Sequence, residues 1–534
     1  MSNHSVLRSS AIMAAGTTLS RVTGLVRNLF LVAALGTAII GDTYQVANTI
    51  PTIVYILVAG GALNAVFVPQ IVREMKGADG GRAYTSQLVT ATITILGFTT
   101  AIGILLAPWL VRLYAAKFGA PGLEPEFELT VLFTRYCLPQ VLFLGFFTVL
   151  GQIANARGSF GPMMWAPIAN NVIVIGVLGA FIAIAPQASD GVISTNAKVL
   201  LGLGTSVGAL IQALVLIPVI ARTGLHLRPN FRWSSLKKSA HLATWTMIFV
   251  LINQLGFMVI VNLATAVSVR AKAAGIDVGV GFTPYQNAYF ILLLPHSVIA
   301  VSFVTALLPR ISRLAADRNL ELVNKELQQT LSQIRALIIP AAIAMFFLGE
   351  PIAQLIFAGS NDADARQIGI ILSGFALGLI PFCTSYLLLR GFYAFEDTKT
   401  PAAVTLLMNL VTISAASLSY YILPIRWITV GIAASFGVGY LASSLWARKL
   451  LAKQIGPMHQ GRESSLMLLS AFLAFLPGLI LSRYLHTGLW NSLFCLLLSA
   501  GIAIPIYLGF GRIFGLLPII TAWDSIRSKI TRER

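Results

Sequence analysis

Charge is scarce in this chain. Only 10% of its 534 residues are Asp, Glu, Lys or Arg, against about 25% in a soluble domain. With 57% hydrophobic residues, too few charges remain to solvate the surface of a water-surrounded core, which excludes a soluble enzyme or carrier. Cysteine is scarcer still. Cys137, Cys383 and Cys495 each stand alone in an apolar stretch with no CxxC pair, so small packed residues are expected in place of a disulfide or thiolate metal site. The six histidines fall at no metal-ligand spacing, and no metal or other cofactor is expected. Acidic residues number 19 against 37 Lys+Arg, a formal net charge of +18. Because that excess is scattered over short loops, nucleic acid is not an expected partner.

What the chain has is apolar length. A crossing takes about 20 apolar residues at 1.5 Å rise each. Runs between charged or Pro/Gly-rich breaks predict spans near 9–35, 43–70, 84–111, 129–154, 163–185, 199–221, 240–267, 284–308, 336–358, 367–389, 401–422, 427–447, 465–482 and 488–511. The expectation is an all-α polytopic membrane protein of about 14 transmembrane helices. The first apolar run, from Ala11, meets Arg21 and Arg27 and has no cleavage region, so it reads as a span and not a removed signal. Asn319 to Leu337 repeats Leu320, Val323, Leu327, Leu331 and Ile334 at helical spacing beside charges, which predicts an interfacial helix. The basic stretch Arg527 to Arg534 reads as an orientation signal that also suits anionic headgroups.

Lys and Arg are distributed unevenly between the two sides. The N-terminus, alternate loops and C-terminus carry 26, the opposite loops 8, and Arg21, Arg27 and Arg135 lie within spans. This bias predicts both termini on the cytoplasmic face.

An internal echo divides the chain. Tyr44-Gln45-Val46-Ala47 leads to Val68-Pro69-Gln70-Ile71-Val72-Arg73, and Tyr285-Gln286-Asn287-Ala288 leads to Leu308-Pro309-Arg310-Ile311-Ser312-Arg313. Pro162 and Asn170 are echoed by Pro401 and Asn409, again about 240 residues on. That offset covers six spans, so the copies share one polarity. Two parallel six-helix lobes around a central cavity are predicted, residues 1–222 and 223–463, with 464–534 forming two further helices and a basic cytoplasmic tail.

Each arginine at the centre of a span costs about 2.5–3.5 kcal/mol. Arg21 and Arg27 share the first span, about 9 Å apart along it and about 120° apart around it, so they could line two levels of a wet cavity or snorkel to headgroups. In span 2, Asp42 either pairs with a span-1 arginine or caps the helix, and Asn48 follows on the next turns. Pro51, Gly60 and Gly61 weaken the same helix and are the hinge candidates. Gln254 and Gln286 supply neutral polar groups in the second lobe, whose default role is interhelical hydrogen bonding. Permanent positive charge in one lobe and neutral donors in the other suit an amphiphile with a phosphate headgroup.

Ser20-Arg21-Val22-Thr23-Gly24-Leu25-Val26-Arg27, Gly41-Asp42-Thr43-Tyr44, Asn48-Thr49-Ile50-Pro51 and Ala62-Leu63-Asn64-Ala65-Val66-Phe67-Val68-Pro69 resemble the N-terminal signature of the MviN/MurJ lipid II flippases. Leu294-Pro295-His296-Ser297-Val298 and Leu307-Leu308-Pro309-Arg310-Ile311-Ser312 resemble that family's span 8. The resemblance implies the fold of the multidrug/oligosaccharidyl-lipid/polysaccharide exporter superfamily. It implies a transporter, not an enzyme, in the bacterial cytoplasmic membrane. The implied cargo is the undecaprenyl-diphosphate-linked peptidoglycan precursor lipid II, with membrane lipids and cell-wall synthesis proteins as further partners.

Arg21 and Arg27 fall on the family's span-1 arginines and Asp42 on its span-2 aspartate. Tyr55 and Phe290 stand where many members have arginine, and Gly60 where they have glutamate, which marks a divergent branch. The substrate-binding candidates are therefore Arg21, Arg27, Asp42, Asn48, Tyr55, Gln254 and Gln286. Spans 7, 11 and 12 contain no carboxylate, so a coupling cation is left unidentified. The competing functions are flipping of another polyprenyl-linked glycan and a non-transporting cell-wall scaffold.

Overall fold

In a computed structural model the described residues are 3–60, 68–75, 77, 79–186, 188, 193–225, 227–231, 244–276, 279–458, 461–485 and 488–521. The chain forms two compact units, Met1–Ala273 and Ala274–Arg534. The first contains α1 (Asn3–Leu35), α2 (Ile39–Tyr55), α3 (Val68–Glu74), α4 (Arg82–Leu105), α5 (Ala107–Tyr114), α6 (Glu124–Cys137), α7 (Gln140–Ala156), α8 (Gly161–Ile184), α9 (Thr195–Leu214), α10 (Ile217–Arg222) and α11 (Thr244–Ala273). The second contains α12 (Phe282–Pro295), α13 (Val301–Ala316), α14 (Leu320–Phe347), α15 (Gly349–Ile356), α16 (Asp362–Ala394), α17 (Lys399–Ile422), α18 (Ile425–Ile455), α19 (Gly461–Tyr484) and α20 (Leu489–Ile513). Among the described residues, thirteen helices are long and apolar enough to cross a membrane. The protein is an all-α polytopic membrane protein.

The second expected span is not among those thirteen. The α-helical part of α2 has 17 residues and passes into a 5-residue π-helical turn, Ile56–Gly60. Residues 61–67, and Gly61 with them, lie outside the described residues. A second π-helical turn, His296–Ala300, follows α12. The two turns are 240 residues apart, the interval of the sequence echoes. Side chains repeat the pattern. In the first unit Tyr44 of α2 packs edge-on against Phe133 of α6 at 5.6 Å. In the second, Tyr285 of α12 packs on Phe375 of α16 at 4.9 Å. Each unit thus pairs the tyrosine of its echo with a phenylalanine from a later helix.

Lipid offers no hydrophobic drive between helices, so close approach depends on small residues. A Cβ on Gly16 would lie 2.7 Å from Nε1 of Trp165, where α1 runs along α8. A Cβ on Gly378 of α16 would lie 2.9 Å from the Cα of Gly437 of α18, a backbone contact with no side chain to give way. The core of the first unit joins Leu31 and Leu35, Tyr44, Phe133, Phe181 and Leu201. In the second, the two C-terminal helices seat Ala471, Phe475, Cys495 and Ala503 against Ile339 of α14. Tyr507 of α20 donates to the Ala336 carbonyl at 3.0 Å. All three cysteines are buried and free.

One local expectation is corrected. The stretch 319–337 is not a separate interfacial helix. It is the first part of α14, whose sequence has no Gly or Pro until Pro340. Val323, Leu327, Leu331 and Ile334 are buried inside the second unit. The polar neighbours bond there too: Asn324 donates to the carbonyls of Ile455 and Pro457, and Ser332 to Glu463. Asp362 and Asp364 stand at the start of α16. Asn361 is the cap, accepting from the Ala363 amide, while the two acids sit in the first turn and complement the helix dipole. The basic stretch Arg527 to Arg534 lies outside the described residues.

Candidate functional site

In the first unit, α1 is fixed to α8 by one face. Asn171 of α8 donates to the Ser20 carbonyl and to the Thr23 hydroxyl, at 3.1 and 3.0 Å. At about 100° per residue, Arg27 projects from nearly the same side as Ser20 and Thr23, and Arg21 from well off it. The exposures agree: Arg27 is half-buried and Arg21 exposed. Arg27 lies close enough to Tyr44 for the two to interact electrostatically. The Tyr44 hydroxyl is itself held at 2.6 Å from Thr205 of α9. Among the described residues neither arginine has a hydrogen bond or an ion pair. Two unneutralised guanidinium groups on one membrane helix offer fork-shaped donors to an anion with several oxygens.

Asp42 is fully buried in the first turn of α2. The N-cap position is Ala38, so the capping role is excluded. Its Oδ2 accepts a short hydrogen bond from Ser268 of α11. One turn further along α11, Lys272 pairs with Glu126 of α6. Asn262 donates to the Leu113 carbonyl and accepts from the Ala116 amide. Four polar contacts from three residues thus hold the second half of α11 within the first unit.

Asn48 and Tyr55 form a seam with α7. Gln140 donates to Asn48 Oδ1 at 3.2 Å, and the Tyr55 hydroxyl donates to Thr148 at 2.7 Å. These contacts account for both side chains as interhelical links. Tyr55→Phe should therefore lower thermal stability by about 1 kcal/mol, the worth of one such bond. Unfolding of Tyr55→Phe, Thr148→Ala and the double variant checks this: the double variant should lose little more than either single one, whereas additive losses would contradict the link.

Gln254 is half-buried on α11 and forms no hydrogen bond among the described residues. Pro51 is buried within α2, and Gly60 closes its π-helical turn. In the second unit, Gln286 of α12 is half-buried, and its Oε1 is buried with no partner among the described residues. Nearby in sequence, His296 opens the π-helical turn with Nδ1 3.4 Å from Cys383 Sγ and its ring stacked 4.0 Å from Phe382. Sequence reasoning did not single out Ser268, Thr205, Gln140 or Thr148. Small hydroxyl and amide residues are common in membrane helices, and only the fold shows what they meet. Among the described residues no group of His, Cys, Asp and Glu is placed to hold a metal ion.

Comparison with known proteins adds an independent line. A family model described as Lipid II flippase MurJ matches residues 31–499. The Lipid II flippase MurJ of Burkholderia cenocepacia is 29% identical over 441 residues, covering 80% of each chain. A probable lipid II flippase MurJ of Bdellovibrio bacteriovorus is 27% identical over 529 residues, covering 96% of this chain and 95% of that one. Among solved structures, a lipid II flippase MurJ in an inward closed conformation superposes with a TM-score of 0.72 at 19% identity, covering 94% of this chain and 98% of the other. An inward-facing multidrug resistance MATE family transporter of the MOP superfamily gives 0.63 at 16% identity, covering 83% and 98%.

Proposed function

The chain belongs to the MurJ lipid II flippase family, and from that membership we propose that it carries lipid II from the inner to the outer leaflet of the bacterial cytoplasmic membrane by alternating access. It is a multi-pass transporter and not an enzyme. The observation that carries the reading is the pair of arginines on α1 with no protein counter-ion among the described residues. Each costs the membrane helix about 2.5–3.5 kcal/mol if left uncompensated. A diphosphate supplies charge and acceptor oxygens for both, and the cargo's headgroup thereby offsets the cost of its own binding site.

Arg21 and Arg27 grip the diphosphate, with Gln254 offering its amide group to the neutral part of the headgroup. Asp42 positions α2 against α11 through Ser268, and Asn48 and Tyr55 hold α2 to α7. Alternation needs a place where a helix can bend. The π-helical turn after Tyr55 is that place in α2, because its bonding leaves a widened ring in the ladder. Pro51 within α2 removes a further backbone donor, and Gly60 ends the π-helical turn. The Lys/Arg bias orients both termini toward the cytoplasm. No carboxylate occurs in α11, α17 or α18. The membrane potential acts on the α1 arginines instead, at about 2.3 kcal/mol per charge fully crossing 100 mV.

Reconstitution tests the proposal. Vesicles loaded with lipid II in both leaflets are treated with an impermeant amine reagent, which labels the outward-facing pool. With the protein present, the labelled fraction should climb past half as inner-leaflet precursor is brought out. A polyprenyl-linked glycan lacking the peptide, which has no amine and is followed instead by the access of an impermeant sugar-modifying enzyme, should move more slowly. Labelling that stays at the protein-free level would remove the flippase reading and favour a scaffold. Equal transport of both lipids would make the cargo a broader class of polyprenyl glycans.

A further inference from the structure

In the second unit, a cavity of about 430 Å³ is bounded by the end of α14, the start of α15, the start of α16 and the end of α19. Its charged walls are Glu350, Arg366 and Arg483. Arg366 Nε donates to Glu350 Oε2 at 2.8 Å, which leaves the terminal nitrogens of that guanidinium available. Arg483 is exposed and has no partner among the described residues. Two cations and one anion leave one formal positive charge. Ser482 also lines the cavity, but its hydroxyl already donates to the Leu479 carbonyl, so the free donors belong to the arginines.

The apolar surroundings identify what such a site faces. Phe346 and Leu479 line the cavity. Phe346, and Phe472 and Ile480 on α19, are exposed at 40%, 44% and 56%. In a membrane helix such side chains face acyl chains. We propose that this cavity binds the phosphodiester headgroup of an anionic glycerophospholipid, with Arg483 and Arg366 on the phosphate and the acyl chains along α19. A single residual positive charge complements a phosphodiester monoanion and gives no preference for a zwitterionic headgroup, whose own cation the arginines repel. A cation in the last turn of α19 also complements the helix dipole. That role explains an arginine at the helix end, but not a second arginine across a shared cavity. With the orientation proposed above, the lipid belongs to the outer leaflet. The binding itself depends neither on that orientation nor on transport.

Native mass spectrometry of the full chain in neutral detergent tests the site, with phosphatidylglycerol and phosphatidylcholine of equal chain length as probes. Phosphatidylglycerol should bind preferentially. Arg483→Glu should weaken it by about tenfold, the worth of one charge-assisted contact, and leave phosphatidylcholine unchanged. Glu350→Gln should strengthen phosphatidylglycerol, because it frees Arg366. Arg426→Glu, at another exposed arginine, should change neither and so controls for loss of general positive charge. Arg483→Gln serves if the glutamate variant fails to fold. Equal binding of the two lipids, or phosphatidylglycerol affinity unaffected at Arg483, would overturn the proposal. So would glycerol 3-phosphate competing as well as the lipid, or a polyprenyl phosphate displacing it at lower concentration, which would make the cavity a plain phosphate site or a cargo site.

Discussion

Arg27→Ala is expected to reduce lipid II transport by about ten- to a hundredfold, the loss of one charge-assisted hydrogen-bonding group on phosphate, while protein stability holds or rises. The second half of that expectation makes the test informative. A guanidinium engaged in holding the helices together would, on removal, lower the unfolding temperature together with activity. Arg27 has no ion pair or hydrogen bond among the described residues, so its removal relieves a charge in the membrane and breaks no such contact. Arg27→Lys should fall between wild type and alanine, since it keeps the charge and loses the fork. Arg21→Ala should act in the same direction. Arg21 is exposed where Arg27 is half-buried, so its guanidinium is held less firmly in one geometry and its effect should be smaller. Thermal unfolding beside the vesicle assay decides the matter. Stability and transport lost in parallel would assign Arg27 to the fold, and normal transport by both alanine variants would remove the arginines from the mechanism.

The helices of this protein were legible because lipid imposes a length and an apolarity on each crossing that any window of sequence displays. What each polar residue does was far less so. The arginines of α1 could be singled out because a charge in a membrane helix is expensive wherever it points. Asn48 and Tyr55 carry no such penalty. Their roles depend on Gln140 and Thr148, 92 and 93 residues away, and no local pattern encodes that pairing. The stripe from Leu320 to Ile334 was read correctly as helical and wrongly as interfacial. Periodicity reports that one face is apolar, but not whether lipid or protein covers it, and here Val323 and Leu327 are wholly buried. Pro51 and the paired glycines marked α2 as a candidate for bending, and a π-helical turn ends at Gly60. That π-helical form was not legible, because the change from i−4 to i−5 bonding leaves no residue signature. Its counterpart after α12, at the same interval as the sequence echoes, is the clearest sign that the repeat is structural.

Asp42 and Ser268 should prove energetically coupled. A carboxylate at 0% exposure that accepts from a hydroxyl of another helix depends on that donor more than a neutral acceptor would. Ser268→Ala should cost about 1.5–3 kcal/mol, the range for a hydrogen bond to a charged group. Asp42→Ala removes the charge itself, and the orphaned Ser268 hydroxyl can turn to the carbonyl four residues back on its own helix, as such residues commonly do. The double variant should therefore be more stable than the sum of the two single losses allows, by a coupling energy of about 1–3 kcal/mol. On the proposed role of Asp42 in holding α2 against α11, transport should fall with stability in this series. The neighbouring Lys272–Glu126 pair supplies the contrast. Lys272 is 46% exposed on its side chain, so Lys272→Ala should cost less than Ser268→Ala, water replacing much of what the lysine gave the carboxylate. Strict additivity between Asp42 and Ser268 would show that the bond does not hold these helices together. Transport abolished by Asp42→Ala at unchanged stability would move the carboxylate from the scaffold into the site that meets the cargo.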